Sequence, residues 1–413
     1  MNYYDFLNSN LSLAFGCTEP VAIGYCAAKA ASVFEGEIEE IDVIASSNII
    51  KNAKSVKVPG LEGRIGIENC AVAGAILGDS EKELLVFENI KKDRLKEIDE
   101  FLKNKKVIVK QKEDFAGVYI KVTLKNEGKK ASVTIENEHT NIVEIVKDEK
   151  TILSKQRHEL TERERMDFSF DKIYEFAKNC DVEKLKYVLD REIETNLKIA
   201  HEGINEDWEL NISDVIMEKE NKDIKDLIIA YTSSAADARM SGCELPVVIN
   251  AGSGDQGLTL SIPVIIYAMH KNIDRELFYR GLIFANLLGF YQKEGIGKLS
   301  AYCGTVTAAA AAISGISFMN EDDKEITANT LSNALAVISG MICDGAKCSC
   351  AVKIAASVHN ALLCYDIAKE GKYFKSGDGI VKDNIDETIK TVGNIARCGM
   401  RKTDTVILDE MLR

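Results

Sequence analysis

Proline is scarce in this sequence: Pro20, Pro59, Pro246 and Pro263 are the only four in 413 residues. Proline interrupts the i to i−4 hydrogen-bond ladder, so its scarcity suits a chain of long helices. Histidine is sparse too, with five residues, and tryptophan occurs once. There is no HExxH zinc motif, no GKS or GKT phosphate loop and no zinc-ribbon pair of CxxC motifs. The longest low-charge stretches, 254–269 and 303–318, carry Gly, Ser or Thr and fall short of the ~20 apolar residues that cross a bilayer. They read as buried helices, and the alanine run 308–312 as close helix packing. The first residues, MNYYDFLNSN, lack the basic and apolar regions of a secretory signal. Positive charge is in deficit: 52 Lys and Arg stand against 65 Asp and Glu, a formal net charge of −13. That balance argues against nucleic acid and anionic membranes as main partners. A cytoplasmic location is expected.

What is present is ordinary in bulk and uneven along the chain. Hydrophobic residues make up 46% and charged residues 28%, which excludes wholesale disorder. Residues 1–36 read as helical, with Thr18 as N-cap, Pro20 in the first turn and Gly36 as the stop. From 37 to about 165, short β-rich runs appear at 41–45, 84–87, 107–109, 118–124, 131–135 and 142–146, several alternating apolar with polar. Helical patterns interleave at 70–77 and 91–103. Beyond 166, helices are predicted at 183–200, 222–239, 256–269, 275–289, 305–316, 326–339, 351–367 and 386–395. The expected fold class is α+β. A mostly helical catalytic domain, made of the segment 1–36 and the half 166–413, carries an inserted α/β domain at 37–165. The charged stretch 147–165 is the candidate boundary.

Eleven cysteines are an odd count, so a complete disulfide framework is not expected. In a reducing compartment, clustered cysteines more often mean metal or catalysis. Cys303, Cys343, Cys348 and Cys350 share one helical region. Thiolates are the usual ligands of iron–sulfur clusters and zinc, but this spacing matches neither a zinc ribbon nor a ferredoxin run. Small hydrophobes packed between helices are the plain alternative. Cys17 precedes Glu19-Pro20 at a helix start, where the dipole favours the thiolate. It suits a nucleophile, a base or a ligand; a turn cysteine without a role is the alternative.

Three polar segments stand out. Ser253, Gly254, Asp255 and Gln256 open an apolar helix, and free N–H groups at such a start favour an anion such as an amino-acid carboxylate. The same string also serves as a mere entry loop. Ser47, Asn48, Lys51 and Asn52 follow a strand, with Asn48, Lys51 and Asn52 on one helical face; a solvated face is the alternative. His139 lies between two strand-like runs, placed to orient a substrate or move a proton, or simply in a turn.

In combination these residues resemble the L-cysteine desulfidases, relatives of the α-chain of iron–sulfur L-serine dehydratases. The matching pieces are Leu13–Pro20, Ser47-Asn48 with Lys51-Asn52, His139-Thr140, Gly252–Gly257, Cys303-Gly304, Cys343–Lys347 with Cys350, and Gly399-Met400 with Thr403-Asp404. They run nearly the whole chain. The resemblance implies a [4Fe-4S] cluster on Cys303, Cys343 and Cys350, with one iron open to substrate and no pyridoxal phosphate. It implies β-elimination of L-cysteine to hydrogen sulfide, ammonia and pyruvate. Cys17 is the leading base, Lys51 and His139 the second choices. Ser47, Asn48, Asn52 and Ser253–Gln256 would hold the small amino-acid substrate. The related dehydratases cap the open iron with a C-terminal cysteine; here the last cysteine is Cys398, so no such cap is expected. Cys348 lies about 200° around a helix from Cys350 and is not expected to share its site. L-Serine dehydration by the same cluster is the alternative within this chemistry. A cluster-less amino-acid-binding protein or a zinc-stabilised structural protein is the alternative outside it. The oligomeric expectation is a homodimer, on frequency alone.

Overall fold

The computed structural model describes residues 2–113, 115, 117–155, 166–297 and 299–412. Helix α1 (Tyr3–Asn10), capped by the Asn2 side chain, leads into a short strand β1 (Leu13–Phe15) and then α2 (Thr18–Val33). The residue that caps α2 is Cys17, not Thr18, and its side chain makes no cap bond. The segment 1–36 is therefore two helices with a strand between them. The expected uniform helical segment is corrected by β1, which pairs antiparallel with a strand far along the chain at Pro246–Val248.

Next come β2 (Glu40–Ser46), α3 (Ser47–Ala53), α4 (Ile67–Leu77), α5 (Lys96–Asn104) and β3 (Lys106–Lys112). Then β4 (Tyr119–Asn126), β5 (Lys129–Glu136), β6 (Ile142–Lys147) and β7 (Lys150–Ser154) complete a six-stranded sheet of order β3-β2-β4-β5-β6-β7. Only β2 and β3 are parallel, and helices α3 to α5 form the long crossover that a parallel pair requires. Alternation sets the register: Ile41, Val43 and Ala45 are buried, while Asp42 turns outward to an ion pair with Lys125. The predicted strand at 84–87 is instead a 3-10 turn, Glu83–Leu85. It delivers Phe87 against Gly24 of α2, a position where a Cβ would lie 2.2 Å from the ring. Of the expected boundary 147–165, residues 156–165 lie outside the described residues.

Beyond the sheet the chain is helical: α6 (Phe170–Asn179), α7 (Lys186–Asn205), α8 (Ile212–Met217) and α9 (Ile224–Met240), then β8 (Pro246–Val248). There follow α10 (Gly254–Lys271), α11 (Arg275–Ile296), α12 (Gly304–Met319), α13 (Lys324–Ile338), α14 (Ser349–Lys369), α15 (Ile385–Asn394) and α16 (Arg401–Leu412). The fold is α+β. Helix α12 is its centre, buried from Thr305 to Met319. Helices α10, α11, α13 and α14 surround it, and Ala308–Ala312 let them approach closely. Among the described residues no helix is long and apolar enough to cross a membrane.

Helix α2 lies on β4 and β5 and packs along α4. Its own N-terminus, with Cys17 and Glu19, is thus carried by the sheet toward the helical half. The α2–α4 contact depends on bare backbone: a Cβ on Gly74 would sit 2.1 Å from the Gly24 carbonyl oxygen. Gly74→Ala is expected to lower the unfolding free energy by about 1–3 kcal/mol, since a methyl there must push the helices apart. Urea unfolding checks this; an unchanged midpoint would show that the contact is loose.

Candidate active site

Four helices begin at one place. Cys17 caps α2, Ser253 caps α10, Cys303 caps α12, and Cys350 is the second residue of α14. Two extended segments bring Cys303 and Cys343 side by side: Cys303 N–H donates to the Met341 carbonyl at 3.0 Å, and Cys343 N–H to the Ala301 carbonyl at 2.7 Å. Gly345, with φ +98°, then turns the chain so that Cys350 faces the same space. A Cβ on Gly345 would lie 2.4 Å from the Lys51 carbonyl oxygen, so α3 is pressed against this turn. The Cys343 charge reaches both Cys303 and Cys350. Burial pushes Cys303 up, and Cys350 well above the ordinary cysteine value. Cys17 packs with Val56 and Met240 in a small apolar cluster that Cys348 and Cys350 border.

Glu19 is the hub on the sheet side. Its Oε2 accepts from the Cys17 thiol at 3.0 Å and lies 3.1 Å from the Thr18 hydroxyl. Its Oε1 accepts from Asn52 Nδ2 at 3.1 Å. His139 Nε2 stands 3.7 Å from Oε1, beyond hydrogen-bond length, and has no partner of its own. Burial opposes ionisation of Glu19, yet His139 and the Cys17 thiol hold its carboxyl down to about 2. The expected thiolate at Cys17 is corrected by the same contact. Burial first, and then the Glu19 charge, push this thiol well above its ordinary value, against a smaller pull from Arg239. In this state Cys17 is a proton donor to Glu19. A helix start favours a thiolate only where burial and a carboxylate do not outweigh it.

On the helical side Arg239 donates to the Gly16 carbonyl and to Asp255 Oδ1, both at 2.7 Å. It thereby ties the turn before Cys17 to the start of α10. Gly254 leaves room for that guanidinium, which a Cβ would meet at 2.4 Å. Lys51 donates to the Cys343 carbonyl at 3.0 Å and to Asp404 of α16 at 2.5 Å. A cavity of about 1030 Å³ opens between the loop 137–141 and α11, with His139, Gly252, Phe290, Lys293 and Arg397 among its walls. Lys293 is buried, and burial holds its ammonium below the ordinary lysine range, partly offset by Cys343 and Cys303. Gln256 Nε2 donates to Asn250 at 3.0 Å, Asn250 Nδ2 to Asn286 at 2.9 Å, and Asn286 Nδ2 to both oxygens of Glu192 at 3.1 and 2.9 Å.

A pattern for the serine dehydratase alpha chain matches residues 82–409. The chain is 40% identical to a UPF0597 protein of Finegoldia magna, over all of this chain and 99% of that one. It is 41% identical to a UPF0597 protein of Lachnoclostridium phytofermentans, over 99% of this chain and 98% of the relative. The chain belongs to the serine dehydratase alpha chain family. The family name is that of a lyase.

Most of the expected site residues meet in this centre. Cys17, Asn52 and His139 meet at Glu19, and Lys51 reaches Cys343. Asn48 is buried beside Lys51, its Oδ1 accepting from Gly117 N at 3.4 Å and its Nδ2 unpartnered. Three have other tasks in this structure. Ser47 accepts from Gln111 on β3, Ser253 caps α10 through Gln256 N–H, and Asp255 holds Arg239. Cys348 turns aside, with its sulfur 3.9 Å from the Ser241 hydroxyl. Among the described residues no three His, Cys, Asp or Glu side chains sit close enough to share a single metal ion. Sequence reading passed over Glu19, Arg239, Lys293 and Glu192. Glu19 had a signal, two residues from Cys17 and just before Pro20; the others lie in helices whose spacing gives none.

Glu192 is fully buried, and burial pushes its carboxyl up to about 8 from an ordinary 4.5. Between those values the folded chain keeps a proton that the unfolded chain has lost. Stability from this group is therefore present below about 4.5 and is lost as pH rises through about 8. Glu192→Gln has no such step. From pH 5 to 8 its thermal midpoint is expected to gain on the wild type; parallel curves would show that Glu192 is not held protonated.

Proposed function

We propose that this protein is an L-cysteine desulfidase, eliminating sulfide from L-cysteine to leave pyruvate and ammonia. The observation that carries the reading is one centre with two halves: the thiols of Cys303, Cys343 and Cys350, facing a Cys17–Glu19–His139 array. Cys303, Cys343 and Cys350 are soft thiol donors brought to one place, the donor type that would hold a [4Fe-4S] cluster. When bound, the cluster supplies Lewis-acid activation of the leaving sulfur at its open iron.

The chain's own groups handle the rest. Glu19, ionised and fixed by Asn52, orients the Cys17 thiol. Cys17, as the thiolate that the Arg239 charge favours, removes the substrate Cα proton. The Cα–H electron pair forms the Cα–Cβ double bond as the Cβ–S bond breaks and sulfide leaves. The aminoacrylate product tautomerises to the imine, which hydrolyses to pyruvate and ammonia. Asp404 and the Cys343 carbonyl hold Lys51 against the turn that carries the thiols, a positioning role. Burial excludes water from Cys17 and Glu19, which strengthens each contact. The small amino acid enters by the cavity beside His139. A cytoplasmic setting suits a thiol-rich site of this kind. L-Serine dehydration is the second reading, favoured by the family to which the chain belongs.

Anaerobic purification with iron and acid-labile sulfide analysis, followed by sulfide release from L-cysteine and pyruvate release from L-serine, tests both. Pyruvate from serine with no sulfide from cysteine would replace the first reading by the second. Replacing Cys303, Cys343 and Cys350 together by Ser is expected to abolish iron and turnover. Cys17→Ser and Glu19→Gln are expected to keep the iron and lose turnover by about 10²–10⁴-fold, the usual worth of a positioned proton carrier. Iron loss in Cys17→Ser would make Cys17 a ligand instead.

A further inference from the structure

One buried chain of amides has a fixed direction. Asn286 Nδ2 faces the Leu282 carbonyl at 3.1 Å as well as Glu192, and Asn250 Nδ2 faces the Asn286 carbonyl at 3.3 Å. Backbone carbonyls only accept, and a carboxyl group keeps an accepting oxygen whether ionised or neutral. Both asparagines must therefore point their NH₂ groups toward Glu192. Asn250 Oδ1 is left to accept from Gln256, so Gln256 must spend its NH₂ there. Its carbonyl, Oε1, is thereby turned the other way, buried and without a partner. That oxygen lies beside Gly304, where a Cβ would come 3.1 Å from it and 3.4 Å from Lys293 Nζ. Gly304 follows Cys303, so the unpaired acceptor and the buried cation stand together next to the thiols.

The geometry points to Gln256 Oε1 as the acceptor for the substrate's α-ammonium group, with Asn250, Asn286 and Glu192 as positioning residues that lock its amide in that orientation. An acceptor beside an ammonium complements a zwitterion: Oε1 takes the α-ammonium while Lys293 Nζ faces the α-carboxylate. A flipped amide would offer NH₂ to an ammonium and repel it. The chain thus selects α-amino acids over acids that lack the amino group. Glu192 does this without touching the ligand, since its buried carboxyl supplies the acceptor at the far end. This rests on the reading of the site as one for a small α-amino acid, whichever leaving group is used.

Calorimetric titration of the anaerobically purified protein with L-alanine and with propionate tests it. Neither ligand has a β leaving group, so the outcome does not depend on turnover, and sulfide release from L-cysteine by the same sample tests the desulfidase reading separately. The wild type is expected to bind L-alanine about tenfold or more tighter than propionate, as one hydrogen bond to a charged group allows. Gln256→Met, of similar length without the acceptor, and Asn250→Leu, which frees the amide to turn, are each expected to remove that preference and leave propionate binding unchanged. Glu192→Gln keeps an acceptor for Asn286 and is expected to retain the preference. Iron content and thermal midpoint show whether each variant is folded; should Asn250→Leu fail to fold, Gln256→Met with Glu192→Gln decides. Equal binding of the two ligands by the wild type, or an unchanged preference in Gln256→Met, overturns the assignment.

Discussion

Everything in the centre depends on four helices starting at one point. Each helix start leaves N–H groups without intrahelical partners and a partial positive charge. Bringing four together is unfavourable unless anionic or polar groups share the space. The chain provides Glu19 at α2 and Asp255 at α10, and thiols at α2, α12 and α14. Arg239 then links Gly16 to Asp255 and fixes the distance between the sheet-borne helix and the helical half. The same constraint explains the glycines at the seam. Gly254 and Gly345 are small because a guanidinium and a backbone carbonyl occupy the space that a side chain would need.

The dipoles do not make the thiols acidic by themselves. Burial pushes Cys17, Cys303 and Cys350 up, and at Cys17 the neighbouring carboxylate adds to it. Two opposite needs are thereby divided between two sets of cysteines. A ligand thiol surrenders its proton when a metal takes its place, so a raised value only makes that exchange dependent on the metal. Cys17 differs from these in facing the Glu19 carboxylate, which accepts its hydrogen bond and keeps the thiol protonated. Cys348 faces Ser241 and Glu209 rather than the other three, and burial together with the Glu209 carboxylate pushes its thiol up to about 11.

The helical half was legible in the sequence because apolar spacing and rare proline mark long helices. Each of the eight helices expected beyond 166 corresponds to an observed one, with ends shifted by up to seven residues, while α6, α8 and α16 were not expected. Short elements were less legible. The run at 84–87 is apolar enough for a strand, but Phe87 is claimed by the gap at Gly24, and the chain turns instead. β1 has three residues and a partner more than two hundred positions away, so no local pattern announces it. In the site, residues beside a turn or a helix start were found, since those positions carry their own chemical signature. Arg239, Lys293 and Glu192 lie within helices, where a charged residue looks like any solvated face until the neighbouring helices bury it.

The polar atoms left without partners carry the last step. A buried donor or acceptor without a hydrogen bond costs free energy, and folded chains avoid it. Asn52 Oδ1, His139 Nε2, Arg239 Nε and Gln256 Oε1 all lack partners and all border this centre. An ordinary core would satisfy or remove them. Their number and their mixed character, donors beside acceptors, match a ligand that is itself both donor and acceptor. On the proposed reading a free amino acid is such a ligand, with its ammonium on Gln256 and its carboxylate toward Lys293. Polar atoms fixed in this way form a preorganised complement to a ligand of both characters.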